Sequence, residues 1–340
     1  METTVTGQDP NKCVICAQPK YADGKMCSDC RNKLTELSIP SWVKIFAASV
    51  LCLMVIGIIR MPKFLSACMH SARGEKAQKE HRYKTAEKEL TYVAAMFPDN
   101  VENNARLIIC CGHNLDYKGM AEVSQRAADE KSEELTLIDE ANDVIHKVTA
   151  SLPSPKLDSL LARIGRPDKP STIDSLKEFI ALNPDDFFAS FILANYYYDT
   201  QDWTKTDSIT NMLLSKDPEN IKALGLMAAI KRENKQYDSA IYFYDKMLEW
   251  NAELPEAISG KARVELKRNR DGEAKKFAEE SYALDSTNSA SLEAMALVDY
   301  FSGHRSEANK MLACIPKATT GDSMIAARVM DVLNGKTKYR

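Results

Sequence analysis

Four cysteines, Cys13, Cys16, Cys27 and Cys30, stand as two Cys-x-x-Cys pairs in "CVICAQPKYADGKMCSDC", with ten residues between the inner two. Two thiolates at this spacing wrap a tight turn around a soft cation, and a second such turn completes a tetrahedral sulfur site for Zn²⁺. Pro19, Asp23 and Gly24 between the pairs suit a short hairpin that brings the turns together. About forty residues bury too little apolar surface to fold alone, so a metal would supply the missing stabilisation. A redox Cys-x-x-Cys is normally single and set in a strand-and-helix pattern, which is absent here, and two disulfides would need an oxidising compartment. Zinc is the expectation and disulfides the alternative. Four sulfur ligands, with no acid or imidazole in the knuckles poised as a base, make the metal structural rather than catalytic.

The stretch from 11 to 33 resembles the zinc-ribbon family, and a small module over residues 1–38 is expected. The whole chain has 340 residues, nine cysteines and a net charge of −3, so no global pull toward nucleic acid follows. Up to Ser41 five basic residues are balanced by five acidic ones, which argues against nucleic-acid binding by the ribbon. An odd cysteine count spread along the chain does not read as a disulfide framework. "METTVTGQDPNK" has neither the basic nor the apolar region of a signal peptide.

About a dozen residues downstream, "SWVKIFAASVLCLMVIGII" carries one charge, Lys44. Trp42 to Ile59 is an 18-residue helix candidate, about 27 Å long at 1.5 Å per residue, close to the hydrocarbon thickness of a bilayer. Lys44 can snorkel from one end and Trp42 can anchor at the interface. A single transmembrane helix over residues 40–61 is expected, followed by a basic juxtamembrane connector over 62–82. Lys25, Arg31 and Lys33 precede it, and Arg60, Lys63, Arg73, Lys76 and Lys79 follow it. That charge bias favours a cytoplasmic C-terminal side. A zinc-thiolate site is best made in a reducing compartment, which favours a cytoplasmic ribbon and extracytoplasmic repeats. A cytoplasmic ribbon with extracytoplasmic repeats is therefore the expectation.

The larger part of the chain has a period. Asn183-Pro184, Asp217-Pro218, Asn251-Ala252 and Asp285-Ser286 begin at intervals of 34 residues. Ala194, Ala228, Ala262 and Ala296 keep the same interval, as do Ala240, Ala274 and Ala308. Small residues at fixed offsets let two successive helices approach closely, and each Asx turn stops one helix and caps the next. Leu193, Ala194, Tyr197, Ala240, Tyr244, Met247 and Pro218 in this register resemble the tetratricopeptide repeat (TPR) family. The fold expected is mainly α: a TPR-like helical-repeat solenoid over 183–316, preceded by degenerate TPR-like helices over 83–182. Helices across 101–165 are expected to be irregular, and a capping helix and tail to cover 317–340. Lys261 and Glu265 at apolar positions, and Ala252 and Ser286 in place of proline, depart from the pattern.

The resemblance implies a concave face lined by first helices that binds proteins or peptides. In the family's register its residues would be Phe188, Phe191, Asn195 and Tyr198, then Lys222 and Arg232, Glu256 and Arg263, Glu293 and Tyr300. No phosphate-binding glycine loop, His-Glu-x-x-His helix or Gly-x-Ser-x-Gly elbow is present, and the chain reads as non-enzymatic. "IICCGHN" at 108–114 is the one tempting group outside the ribbon, and its cysteines fall where a helix buries its face. Two functions are expected: a membrane-anchored scaffold or, alternatively, a zinc- or thiol-responsive sensor that signals from the ribbon to the repeats.

Overall fold

A computed structural model describes residues 11–19, 26–35, 40–127, 135–150, 152–165, 170–316 and 320–340. Asp23 and Gly24, expected in the ribbon hairpin, lie outside the described residues, as do 166–169 of the "RPDKP" turn. The chain divides into two units, Met1–Leu65 and Ser66–Arg340.

In the first unit, helix α1 (Ser28–Thr35) starts inside the second cysteine pair, and α2 (Ser41–Lys79) carries the apolar run. Among the described residues one helix, α2, is therefore long and apolar enough to cross a membrane, and none of its apolar stretch is buried. Trp42, Ile45, Leu53 and Ile58 all stand at least two-thirds exposed, at 67–69%. A soluble helix does not present leucine and isoleucine to water on every side. Residues 62–82, read from their charge as a connector, are helical through Pro62 to Lys79.

From Ser66 on, α2 belongs to the second unit, where it pairs with α3 (Tyr83–Met96). The approach is close at Gly74, where a Cβ would come within 2.7 Å of Leu90 Cδ2. A second pair, α4 (Val101–His113) and α5 (Tyr117–Ala127), follows, and α6 (Leu135–Ala150) packs on α4. Next come α7 (Pro155–Ile164) and α8 (Pro170–Leu182). Four regular pairs succeed them: α9 (Phe187–Asp199) with α10 (Trp203–Lys216), α11 (Ile221–Glu233) with α12 (Tyr237–Trp250), α13 (Pro255–Lys267) with α14 (Asp271–Leu284), and α15 (Ser289–Phe301) with α16 (Arg305–Cys314). Helix α17 (Thr320–Leu333) is the last. First helices start at Phe187, Ile221, Pro255 and Ser289 and second helices at Trp203, Tyr237, Asp271 and Arg305, each 34 residues after the previous one. The described residues thus form a TPR-like helical-repeat solenoid without β-strands beyond one isolated bridge.

The repeating joint is a Schellman turn. The backbone N–H of Asp202, Gln236, Arg270 and His304 donates to the carbonyl five residues back at 2.8–2.9 Å, and the residue before each is left-handed: Gln201, Lys235, Asn269 and Gly303, with φ between 58° and 85°. Arg82 and Asp116 make the same bond, after His81 and Leu115 at φ 56° and 59°. The 34-residue joint therefore recurs at the α2–α3 and α4–α5 turns, and α4–α5 is a regular pair rather than an irregular stretch. Between repeats, Asp186, Asn220 and Asn288 cap α9, α11 and α15 through the amides of Ala189, Ala223 and Ser291, whereas Leu254 gives α13 no side-chain cap, so three of the four expected caps form. All seven periodic alanines are fully enclosed, at 0% exposure.

Three departures from the pattern have structural reasons. Glu265, buried on α13, faces Arg268 at 3.3 Å and Arg270 at 3.5 Å, and Lys261 reaches Asp245 at 2.8 Å and lies over the Phe277 ring. Ala252 replaces proline because its N–H is used: it donates to the His81 carbonyl at 2.9 Å. Around it, Glu253 accepts from Arg82 Nε at 3.0 Å and from the Thr85 N–H at 2.7 Å, and Asn251 Nδ2 donates to the His113 carbonyl at 3.0 Å. The α12–α13 turn thus receives the α2–α3 turn, the start of α3 and the end of α4. His113 completes the contact, its ring stacked between Tyr83 at 3.9 Å and Trp250 at 4.3 Å.

Ala252→Pro, although it restores the repeat pattern and proline stands at the same place in sibling turns, is expected to lose about 1–3 kcal/mol through the abandoned His81 carbonyl. Urea unfolding of a soluble chain from Ser66 on would measure this, and an unchanged midpoint would contradict it. Burial pushes the His113 pKa down to about 4, so the unfolded state takes up a proton that the folded state refuses. Stability should fall as pH drops from about 6.5 to 4, by about 3 kcal/mol in all for this group. His113→Phe, which keeps the stack, should flatten that part of the pH profile.

Candidate functional site

Two places gather functional residues, one in each unit. In the first unit, Cys13 and Cys16 sit on a turn closed by an antiparallel bridge between Lys12 and Pro19. The Cys13 N–H donates to Gln18 O and the Ala17 N–H to Cys13 O, both at 2.9 Å, with Ala17 left-handed at φ 57°. The second pair opens α1: the Cys30 N–H points at Cys27 Sγ at 3.4 Å, and the Arg31 N–H bonds Cys27 O at 2.9 Å. All four Sγ atoms lie within 4.8 Å of one another, Cys16 and Cys27 at 3.5 Å. Sulfurs at the corners of a zinc tetrahedron, about 2.3 Å from the metal, are about 3.8 Å apart, so the donor set fits that ion. The thiols strain one another's protonation. Backbone N–H groups at Cys16 and Cys27 hold Cys13 down to about 6, while hydrogen bonding to Cys16 and Cys27 pushes Cys30 up to about 12. A dication that takes all four as ligands removes that conflict.

In the second unit a groove of about 700 Å³ runs along α9, α11, α13 and the start of α15. Nine of the ten residues expected on the concave face line it: Phe188, Phe191, Asn195, Tyr198, Lys222, Arg232, Glu256, Arg263 and Glu293. The tenth, Tyr300, does not. It lies two turns further along α15, edge-on to Phe301 at 5.1 Å with the Arg305 guanidinium over its ring at 5.5 Å.

The floor of the groove is an aromatic and cationic network. Arg232, only 5% exposed, donates through Nη2 to the Tyr198 hydroxyl at 3.0 Å, through Nη1 to Tyr244 at 3.3 Å, and through Nε to Glu233 at 2.9 Å. Tyr244 reaches it by lying against Gly260, where a Cβ would meet the ring at 2.2 Å. Burial works against the Glu233 charge, but Arg232 and Lys267 outweigh it and hold the carboxyl below its usual range. Arg263 pairs with Glu293. Lys222 rests between Phe188 and Tyr117 at 4.9 and 5.2 Å, and burial pushes its ammonium pKa down. Burial likewise raises Glu256, which accepts from Asn288 Nδ2 at 2.7 Å. Asn195 donates to its own helix at Phe191 O, 2.8 Å away.

The repeat register does not account for the opposite wall. Gly321, Met324, Ile325 and Arg328 of α17 line the groove too, and Arg328 reaches Asp199 at 3.4 Å. No local signal joins residues 129 positions apart. "IICCGHN" has a structural place: Cys110 and Cys111 are buried in α4, and burial pushes the Cys111 thiol up to about 12. Glu87 and Asp116 beside Cys111 are engaged by Asn114 Nδ2 at 2.5 Å and the Gly119 N–H at 2.9 Å.

No protein-family profile matches the chain, and no curated protein matches it. Solved structures similar to it include a thermophilic TPR protein of Thermus thermophilus, 15% identical, with a TM-score of 0.42 over 53% of this chain and 96% of that one. Yeast Tom70 is 16% identical at a TM-score of 0.37, over 74% of this chain and 60% of that one. Pseudomonas aeruginosa pilF is 11% identical at 0.28, over 80% and 99%. The class of the second unit, a TPR-like repeat array, rests on its own 34-residue register.

Metal analysis of the purified chain is expected to find one zinc, and cobalt substitution a tetrathiolate absorption band. Cys16→Ser with Cys27→Ser should abolish both, and occupancy should fall as pH drops, because the thiols must lose protons to ligate. Full zinc content in that double variant would contradict the assignment.

Proposed function

We propose that the chain is a membrane-anchored, non-enzymatic adaptor that captures protein or peptide partners in the groove of its repeat unit. The observation that carries this reading is the convergence of nine register-derived residues on one groove with aromatic walls and a charged floor. Aromatic and arginine side chains in a concave setting are what protein hot spots use, since they offer large contact area together with directional hydrogen bonds. The exposed apolar stretch of α2 supports a single membrane crossing, with Trp42 and Lys44 at one end. The four clustered thiols support a structural zinc ribbon on the other side of that membrane, in the reducing compartment, with the repeats extracytoplasmic.

Lys222→Glu combined with Phe191→Ala should keep the helical circular-dichroism signal and reduce cross-linked partner recovery from cells at least tenfold. Partner recovery equal to that of the unchanged chain would contradict the groove as the binding surface. Protease added to intact spheroplasts should digest the repeats before lysis; protection until lysis would reverse the sidedness.

A further inference from the structure

The second residue of each first helix falls in one row of the repeat register: Phe188, Lys222, Glu256 and Ala290. All four line the groove. Three acids line it as well, and two of them are matched: Asp199 by Arg328 at 3.4 Å, and Glu293 by Arg263. Glu256, half-buried in the groove wall, forms no ion pair among the described residues. Asn288 Nδ2 donates to its Oε1 at 2.7 Å, and its Oε2 has no hydrogen-bond partner. Lys84, the cation whose field reaches it, is paired with Asp285 at 3.0 Å. The start of α13 favours a negative charge, yet burial outweighs that and raises the carboxyl pKa.

On the adjacent first helix the groove has a notch. Gly225 is the fifth residue of α11, and at the matching place α9 carries Phe191, α13 Ser259 and α15 Glu293. One turn further α11 has only Ala229, where α9 and α13 have Asn195 and Arg263. Gly74, Gly112 and Gly260 each give room to a side chain of a neighbouring helix: Leu90, Val144 and Tyr244. Gly225 does not. Its helical backbone needs no glycine, and a Cβ there would come no closer than 3.4 Å to Met247 Cε, an ordinary contact. Glycine inside a helix is destabilising relative to alanine, so folding alone does not call for it. The notch has apolar sides: Phe188 and Phe191 on α9, Met247 beneath, and Met324 and Ile325 of α17 on the opposite wall.

We propose that the notch over Gly225 and the Glu256 carboxylate together form a subsite for one lysine or arginine side chain of a protein partner. The methylene stem lies over Gly225 and Ala229 against the apolar sides, and the charged head pairs with Glu256, whose carboxyl turns toward it. An apolar side chain would fill the notch and leave the carboxylate unmatched, and an acidic one would repel it. A long basic side chain meets both demands, because it joins an apolar stem to a cationic head. The subsite rests on the reading of the groove as a partner surface and adds what the partner must present there.

Random nonapeptides displayed on phage and selected on the full chain in detergent micelles provide the probe. The selected peptides should share a lysine or arginine at one position. Replacing that residue by its neutral isostere, norleucine or citrulline, should weaken a synthetic copy at least tenfold by fluorescence anisotropy. Glu256→Gln should weaken the unchanged peptide as much, and the two changes together should cost no more than either alone. Gly225→Leu should also weaken it at least tenfold. Both variants should melt no lower than the unchanged chain, since neither residue serves the fold. Peptides that share no basic residue, additive losses, or a lowered melting point in either variant overturn the subsite. Peptides weakened by Lys222→Glu with Phe191→Ala and indifferent to Glu256→Gln overturn the subsite and leave the groove standing. If no selected peptide is weakened by that pair, the groove itself fails as the partner surface, and the subsite with it.

Discussion

Each helical pair in the second unit has an apolar face that it cannot bury by itself, and everything else in that unit follows from the need to stack it on the next pair. Stacking at close range requires small residues at the crossing points, which the enclosed alanines provide. It also requires the chain to reverse at the same point in each repeat, which the Schellman turns provide. With both fixed, first helices fall side by side, and the residues on their inner faces are brought into one groove whatever their chemistry. The groove is a by-product of stacking, and its residues are free to specify a partner.

The period was legible because it is written in residues with strong local physics: asparagine and aspartate at helix starts, and alanine where backbones meet. The joint itself was not legible. Of its six left-handed positions in the paired helices only Gly303 carries glycine, and His81, Leu115, Gln201, Lys235 and Asn269 conceal the rest. Within residues 62–82, read from their charge as a basic connector, residues 66–79 are helical and belong to the second unit. Their contacts use Ala67, Gly74 and Ala77, which are too small to mark an amphipathic helix against the surrounding lysines.

Nine of the ten residues named from the register line one groove, because in a solenoid a residue's face follows from its position in the repeat. Tyr300 fails at the edge of the array, where no further regular repeat extends the groove past α15. The wall contributed by α17 depends on contacts between distant parts of the chain, for which a repeat pattern carries no signal. The missing proline at Ala252 shows the converse: a departure from the pattern marked a position whose N–H was already in use.

The central claim is that this groove, and not the outer surface of the repeats, meets the partner. A photo-reactive amino acid placed at Ile192 or Met324, both lining the groove, and at Lys276 on the outer helix α14 tests it in intact membranes. The account predicts discrete adducts from the two groove positions and none of them from Lys276. The same adducts from all three positions, or adducts from Lys276 alone, would contradict it.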